Sequence, residues 1–214
     1  MKITLKDGVV KEFDNAVSVL EIAKSISEGL ARNACAGIVD GEVKDLRYVV
    51  DKDAEVSICT FEDEAGKLAF RHTASHMLAQ AVKRLYPEAK IAIGPSISDG
   101  FYYDFDREKA FTQEELEALE AEMKRIAKED IAIERFELPR AEAIKYMEER
   151  EEPYKVELIQ DLPEDAVISF YKQGDFTDLC AGPHLMSTKT VKAIKLTSVA
   201  GAYWRGSEKH KMLS

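Results

Sequence analysis

KITLKDGVVKEFDNAVSVLEIAKSISEG, residues 2–29, opens with two short apolar–polar alternations, KITL and VVKEF, around Lys6-Asp7-Gly8. Asp-Gly between alternating segments is a hairpin signal. The run SVLEIAKSISEG follows. Ser18 with Glu21 three residues on forms a capping box, and Leu20, Ala23 and Ile26 make an apolar stripe at helical spacing. Gly29 is a helix-stop signal. Beyond it, ACAGIVDG (34–41) reads as a strand running into the Asp40-Gly41 turn, and AEVSICT (54–60) as a last strand. Two strands, a helix and further strands predict a small mixed sheet packed on one helix, a β-grasp arrangement. No catalytic constellation stands out in it, and Cys35 and Cys59 read as small buried hydrophobes.

FEDEAGK (61–67) is polar and acidic, and places a domain boundary at 61/62. The second domain should begin with a helix of about twenty residues ended by Pro87, with Leu68, Met77, Leu78, Ala81, Val82 and Leu85 on its apolar side. IAIGPSISDGFYYDF (91–105) has strand character interrupted by two glycine-containing turns. FTQEELEALEAEMKRIAKED (111–130) is a helix with a Thr112/Glu115 capping box and Leu116, Leu119, Met123 and Ile126 facing inward. A shorter helix is expected in ELPRAEAIKYMEER (137–150), strands in AVISFYKQGDFTDLC (166–180), and further strands in KTVKAIKLTSVAGAYWRG (189–206). The second domain is therefore α+β.

The chain has 214 residues, 45% hydrophobic and 33% charged, enough for two small domains with buried cores. No apolar run approaches a membrane span. The start MKITLKDG predicts no signal peptide, and three cysteines without framework spacing suit a reducing cytoplasm. A net charge of −10 argues against indiscriminate nucleic-acid binding over the whole surface. Residues 187–214 differ: Lys189, Lys192, Lys195, Arg205, Lys209 and Lys211 stand against Glu208 alone. This segment reads either as a solvated basic tail or as a phosphate-facing surface.

The chemistry concentrates in RHTASH (71–76) and DLCAGPH (178–184), which hold three of the four histidines and one of the three cysteines. His72 and His76, four apart, share one face of their helix. Cys180 and His184 flank Gly182-Pro183, a tight-loop signal. Together the four are a zinc-type ligand set. HTASH lacks the glutamate that follows the first histidine in a metalloprotease helix. Without metal, a histidine of near-neutral pKa can activate water, and Cys180 can be a polar wall, a hydrogen-bond partner or a nucleophile.

RHTASHML, IGPSISDGFYYDF, EPYKVEL, DFTDLCAGPHL and AGAYWRGSEKHKML together resemble the N-terminal half of the bacterial threonyl-tRNA synthetase family, over almost the whole chain. Residues 1–61 resemble its TGS domain, a β-grasp module. Residues 62–214 resemble its editing domain, of the second additional domain type shared with alanyl-tRNA synthetase. The family continues into catalytic and anticodon-binding domains, which the resemblance makes expected partners of this region. Ligase activity is therefore not expected of these residues.

The resemblance implies hydrolysis of the aminoacyl ester of seryl-tRNA(Thr), with the serine-bearing acceptor end of tRNA(Thr) as partner, no membrane, and a homodimer through the parent enzyme. Serine lacks one methyl of threonine, and a methyl-sized difference gives only about 1–3 kcal/mol of discrimination, so a second, smaller site completes a double sieve. Carried over by motif, His72 is the water-activating base, Lys155 an oxyanion stabiliser or ribose guide, and Asp178 the ligand for the substrate amino group. Cys180 joins the catalytic set, while His76, Tyr103 and His184 bind substrate. No cofactor is required for this reaction. Zinc on His72, His76, Cys180 and His184 is the alternative, since alanyl-type relatives carry it there. Two rival readings are a free-standing deacylase for another mischarged tRNA and a non-catalytic RNA- or partner-binding module with structural zinc. A third, a zinc hydrolase of small molecules, leaves the basic segment unexplained.

Overall fold

A computed structural model describes all 214 residues, and the chain divides into two compact units, Met1–Thr73 with Gly182–Met186, and Ala74–Ala181 with Ser187–Ser214. The expected boundary at 61/62 lies in the turn before a long helix. The first unit runs past it to Thr73 and takes in a distant five-residue segment.

In the first unit, β1 (Lys2–Leu5) and β2 (Val10–Glu12) pair antiparallel across a turn in which Gly8 takes φ +84, a value glycine adopts without steric cost. Then come β3 (Val17–Ser18) and α1 (Val19–Ile26). The capping box forms as expected: Glu21 N donates to Ser18 Oγ at 3.1 Å and Ser18 N to Glu21 Oε2 at 2.7 Å. Gly29 does not stop this helix. Extended Ser27 (φ −164, ψ 150) ends α1 and caps a new helix, α2 (Glu28–Asn33), its hydroxyl accepting from Leu30 N at 3.0 Å. A serine that caps forward punctuates the chain before the glycine does.

β4 (Ala36–Val39) and β5 (Glu42–Lys44) flank the Asp40-Gly41 turn; β6 (Val49–Val50) pairs with β3, and β7 (Ala54–Cys59) closes the sheet. The sheet order is β2-β1-β7-β4-β5, with β1 and β7 parallel and the other pairs antiparallel. Val19, Ile22 and Ala23 of α1 pack with Ile3, Val39 and Val56 of the sheet, all buried. Gly37 lies where α1 crosses: a Cβ there would meet Val19 Cγ1 at 2.5 Å. This is the mixed sheet on one helix that the sequence predicts, with Cys35 and Cys59 buried and unpaired. Helix α3 (Glu64–Leu85) begins in this unit and stops just before Pro87.

The second unit opens with two nested hairpins. β8 (Lys90–Ile91) pairs with β11 (Phe105–Asp106), and inside them β9 (Ser96–Ile97) pairs with β10 (Gly100–Phe101). α4 (Gln113–Glu129) has its capping box and buries Leu116, Leu119, Met123 and Ile126. β12 (Ile133–Glu137), α5 (Arg140–Glu148), α6 (Pro153–Asp161), β13 (Ser169–Gln173) and β14 (Phe176–Leu179) follow. The three strands form an antiparallel sheet in the order β12-β13-β14. Ala143 and Met147 of α5 and Ile159 of α6 pack with Phe170 of β13 and with Ile168.

The strands expected across 189–206 are mostly absent. A short 3₁₀ turn (Thr188–Thr190) leads into an irregular stretch, followed by β15 (Ala202–Tyr203), a second 3₁₀ turn (Trp204–Gly206) and β16 (Met212–Leu213), which pairs with β15. Val191, Ile194 and Leu196 are buried, but Leu196 N donates to Glu120 Oε1 at 2.9 Å instead of to a neighbouring strand. An alternating apolar pattern shows which side chains go inside, not where the peptide groups bond. The fold class is α+β in both units, and no helix is long and apolar enough to cross a membrane.

Candidate active site

In the first unit, His72 and Thr73 lie on α3 and His184 on the segment 182–186. The His72 and His184 rings lie 4.4 Å apart, tilted by 32°. Thr73 and His184 are fully buried. The Thr73 hydroxyl donates to Ala69 O at 3.0 Å and accepts from Leu185 N at 3.0 Å, with His184 Nδ1 3.2 Å away. Its only proton being committed to Ala69, Thr73 Oγ1 can only accept from the imidazole. The network therefore assigns the proton of neutral His184 to Nδ1 and the lone pair to Nε2.

The second unit centres on Asp178, near the end of β14 and 1% exposed. Lys155 of α6 places Nζ 2.8 Å from Asp178 Oδ1, and Tyr103 donates its hydroxyl to Oδ2 at 2.6 Å. His76 Nε2 lies 3.5 Å from the same Oδ2. All three partners are buried. Burial by itself raises the Asp178 carboxyl; Lys155, His76 and the Tyr103 hydroxyl outweigh it and hold the group below the usual carboxylate range. Burial, then the Asp178 charge, pushes Tyr103 well up, so it remains a donor.

Each of these side chains is placed by its element. Gly94 lies flat against Tyr103, where a Cβ would meet Cδ2 at 2.0 Å, and Ser75 Oγ donates to Gly94 O at 2.7 Å. Tyr103 also stacks on Phe105 at 4.9 Å and lines a cavity of about 550 Å³ with Phe101, Phe111 and Leu119. Glu152, immediately before α6, accepts from Lys83 Nζ at 2.7 Å and Ile91 N at 2.9 Å, and thus ties the start of the Lys155 helix to α3 and β8. Cys180 follows β14; its N donates to Ser169 O at 3.0 Å and its carbonyl accepts from Ser169 Oγ at 2.6 Å.

His72, His76, Cys180 and His184 each offer a zinc-type donor atom. In the first unit His184 presents its lone pair at Nε2; in the second, Asp178 beside His76 is the kind of carboxylate that orients a ligating imidazole.

The residues expected from sequence therefore fall into two groups, His72 with His184, and Tyr103, Lys155 and Asp178 with His76, while Cys180 is held by Ser169. His210, the fourth histidine, sits apart with its ring against Trp204 O at 2.8 Å. Sequence alone predicts no role for Thr73, Ser75, Gly94, Glu152 or Ser169. Gly94-Pro95 could have been read as a required close approach; the others carry no local signal.

Comparison with known proteins follows the two parts of the chain. Residues 1–60 match the TGS domain, and residues 168–214 match the threonyl and alanyl tRNA synthetase second additional domain. The second match covers Asp178, Cys180 and His184; His72 and His76 lie outside both. The chain is 67% identical over 213 residues to a threonine–tRNA ligase of Acetivibrio thermocellus, covering all of this chain and 34% of that protein. It is 65% identical to the corresponding ligases of Clostridioides difficile (213 residues) and Clostridium botulinum (214 residues), covering all of this chain and 33% of each. The chain thus spans about one third of the length of the curated relatives it matches. With a TGS domain, a second additional domain and 65–67% identity over its whole length, the chain corresponds to the N-terminal region of bacterial threonyl-tRNA synthetases.

Proposed function

We propose that this chain is the proofreading region of a threonyl-tRNA synthetase and hydrolyses the ester of seryl-tRNA(Thr) in the cytoplasm. The observation that carries the reading is the buried Tyr103–Asp178–Lys155 network with His76 beside it. Buried carboxylate and ammonium groups are costly to desolvate even when paired, and buried titratable groups with shifted pKa values cluster at functional sites.

The substrate ammonium binds Asp178. It competes for Oδ1, and Lys155 Nζ then turns to the oxygen that gains charge as the acyl carbon becomes tetrahedral. Tyr103 keeps Asp178 oriented through Oδ2 and walls the pocket against a larger side chain. His72 takes a proton from water as the water oxygen bonds to the acyl carbon. The ester bond to the ribose then breaks and the imidazole returns the proton to the ribose oxygen, giving serine and tRNA(Thr). His76 and His184 shape the pocket. Cys180 completes its wall, a nucleophilic role being the alternative.

This route requires no metal. If zinc is bound, His72, His76, Cys180 and His184 hold it and it supplies positive charge. The tRNA acceptor end is the partner, and the catalytic and anticodon-binding domains of the relatives hold the rest of the tRNA. Steady-state deacylation of seryl-tRNA(Thr) by Lys155→Ala tests the reading. Loss of an oxyanion stabiliser should lower kcat about 10²–10³-fold; an unchanged kcat removes Lys155 from the chemistry.

A further inference from the structure

The deacylation steps use no β-grasp residue, yet two residues of that domain hold the backbone of His184. In the turn that follows β5, Asp45 Oδ2 accepts from His184 N at 3.0 Å. Arg47 donates from Nη1 to His184 O at 3.2 Å and from Nη2 to Leu185 O at 2.8 Å. The two side chains brace each other, Arg47 Nη1 lying 2.9 Å from Asp45 Oδ1, and both are largely buried. Arg47 N donates to the same Oδ1 at 2.8 Å.

The turn itself is rigidly mounted. Leu46 between them is 1% exposed in the core of the small sheet. Leu46 O and Tyr48 O accept from Leu20 N at 3.0 Å and Val19 N at 2.9 Å, the first turn of α1. From the other side, Thr73 accepts from Leu185 N and faces His184 Nδ1. The peptide N–H and C=O of His184 are thus both held by a charged pair, and its ring by a threonine.

We propose that Asp45 and Arg47 are positioning residues for His184, and that the TGS domain thereby fixes this imidazole against His72 for deacylation. The role rests on the deacylase reading. A charge-assisted clamp on both backbone groups leaves the segment 182–186 little freedom, and a misplacement of about 1 Å in an active site can cost about 10²-fold in rate. Removing the clamp should therefore lower kcat/KM, since His184 shapes the pocket that the substrate enters.

The test uses Asp45→Ala and Arg47→Met in this chain, with Asp45→Asn as the isosteric variant if Asp45→Ala does not fold. Two quantities are read on folded protein: kcat and KM for seryl-tRNA(Thr), and the imidazole NMR signals of labelled histidine, with His210 as internal reference. The expected result is a kcat/KM about 10²-fold lower, a displaced His184 signal and a stationary His210 signal. A stationary His184 signal overturns the proposal whatever the rate does, and so does a displaced signal with wild-type kcat/KM. If the wild-type chain does not deacylate at all, the deacylase reading falls and with it the catalytic role; the His184 signal then decides the clamp alone.

Discussion

Asp178 is the residue on which most of the second-unit chemistry turns, and it also bears on stability. Asp178→Asn leaves the Lys155 ammonium buried without its counter-charge. Removing one partner of a buried pair typically costs about 3–5 kcal/mol, so urea unfolding at neutral pH should show a loss of that order; an unchanged midpoint would mean that Lys155 does not depend on Asp178. The pH dependence has a definite sign. The Asp178 carboxyl is held low in the folded state, so its stabilising contribution is complete above the unfolded value of about 3.9 and disappears as pH falls through the lower folded value. Wild type should therefore lose stability on acidification below about pH 5 more steeply than Asp178→Asn, by about the contribution of one titrating group.

Gly94 is a second such residue, because it shapes Tyr103 without touching Asp178. The methyl of Gly94→Ala would fall 2.0 Å from the Tyr103 ring. The ring must then move and its hydroxyl leave Asp178. Overpacking of this kind costs about 1–3 kcal/mol, and deacylation should fall while the far-UV spectrum of the folded protein remains that of wild type. Wild-type deacylation in Gly94→Ala would show that Tyr103 need not be fixed.

Among the elements, α1 and α4 were legible because each declares its start with a capping box. α6, which carries Lys155, was not: it starts at Pro153 with no side-chain cap, and its anchor is Glu152 bonding to α3 and β8. Local sequence carries caps and periodicity; it does not carry a carboxylate's distant partners. α4 shows how far one cap can be reinforced. Glu115 closes the box on Thr112 N at 2.9 Å and also takes both Nη groups of Arg107 at 2.8 Å. Arg107 first, then the Thr112 backbone, lowers the Glu115 carboxyl to about 2. Its contribution is therefore complete above the unfolded value of about 4.3 and lost as pH falls towards about 2. Thr112→Ala should cost about 1 kcal/mol in thermal unfolding, and Glu115→Gln should flatten the acid limb. An unaltered acid limb would mean that the pairing with Arg107 contributes nothing.

Across the whole molecule, the paired His and Cys motifs were readable because they bunch nearly every histidine of a histidine-poor chain. The link from Asp45 and Arg47 to His184 was not, since those residues lie 139 and 137 positions from it along the chain. The basic segment reads differently once folded. Lys189, Lys195, Arg205 and Lys211 pair with Asp130, Glu120, Glu157 and Asp106, so its local charge overstates its field. If it meets the acceptor stem, exposed Lys192 and Lys209 should contribute most. Reversing both to Glu should weaken tRNA binding and reduce its salt slope by about 0.9 for each phosphate no longer neutralised. Unchanged binding would leave the segment a solvated surface.

The most direct measurement is hydrolysis by this chain of seryl-tRNA(Thr) and threonyl-tRNA(Thr) side by side, with a chelator arm. The account predicts preferential release of serine that persists after metal removal. Equal rates on both esters would contradict selective proofreading, and loss of activity in chelator would contradict the metal-free route. No hydrolysis at high protein concentration, even with a short acceptor-stem substrate that needs no other domain to hold it, would contradict the deacylase reading itself.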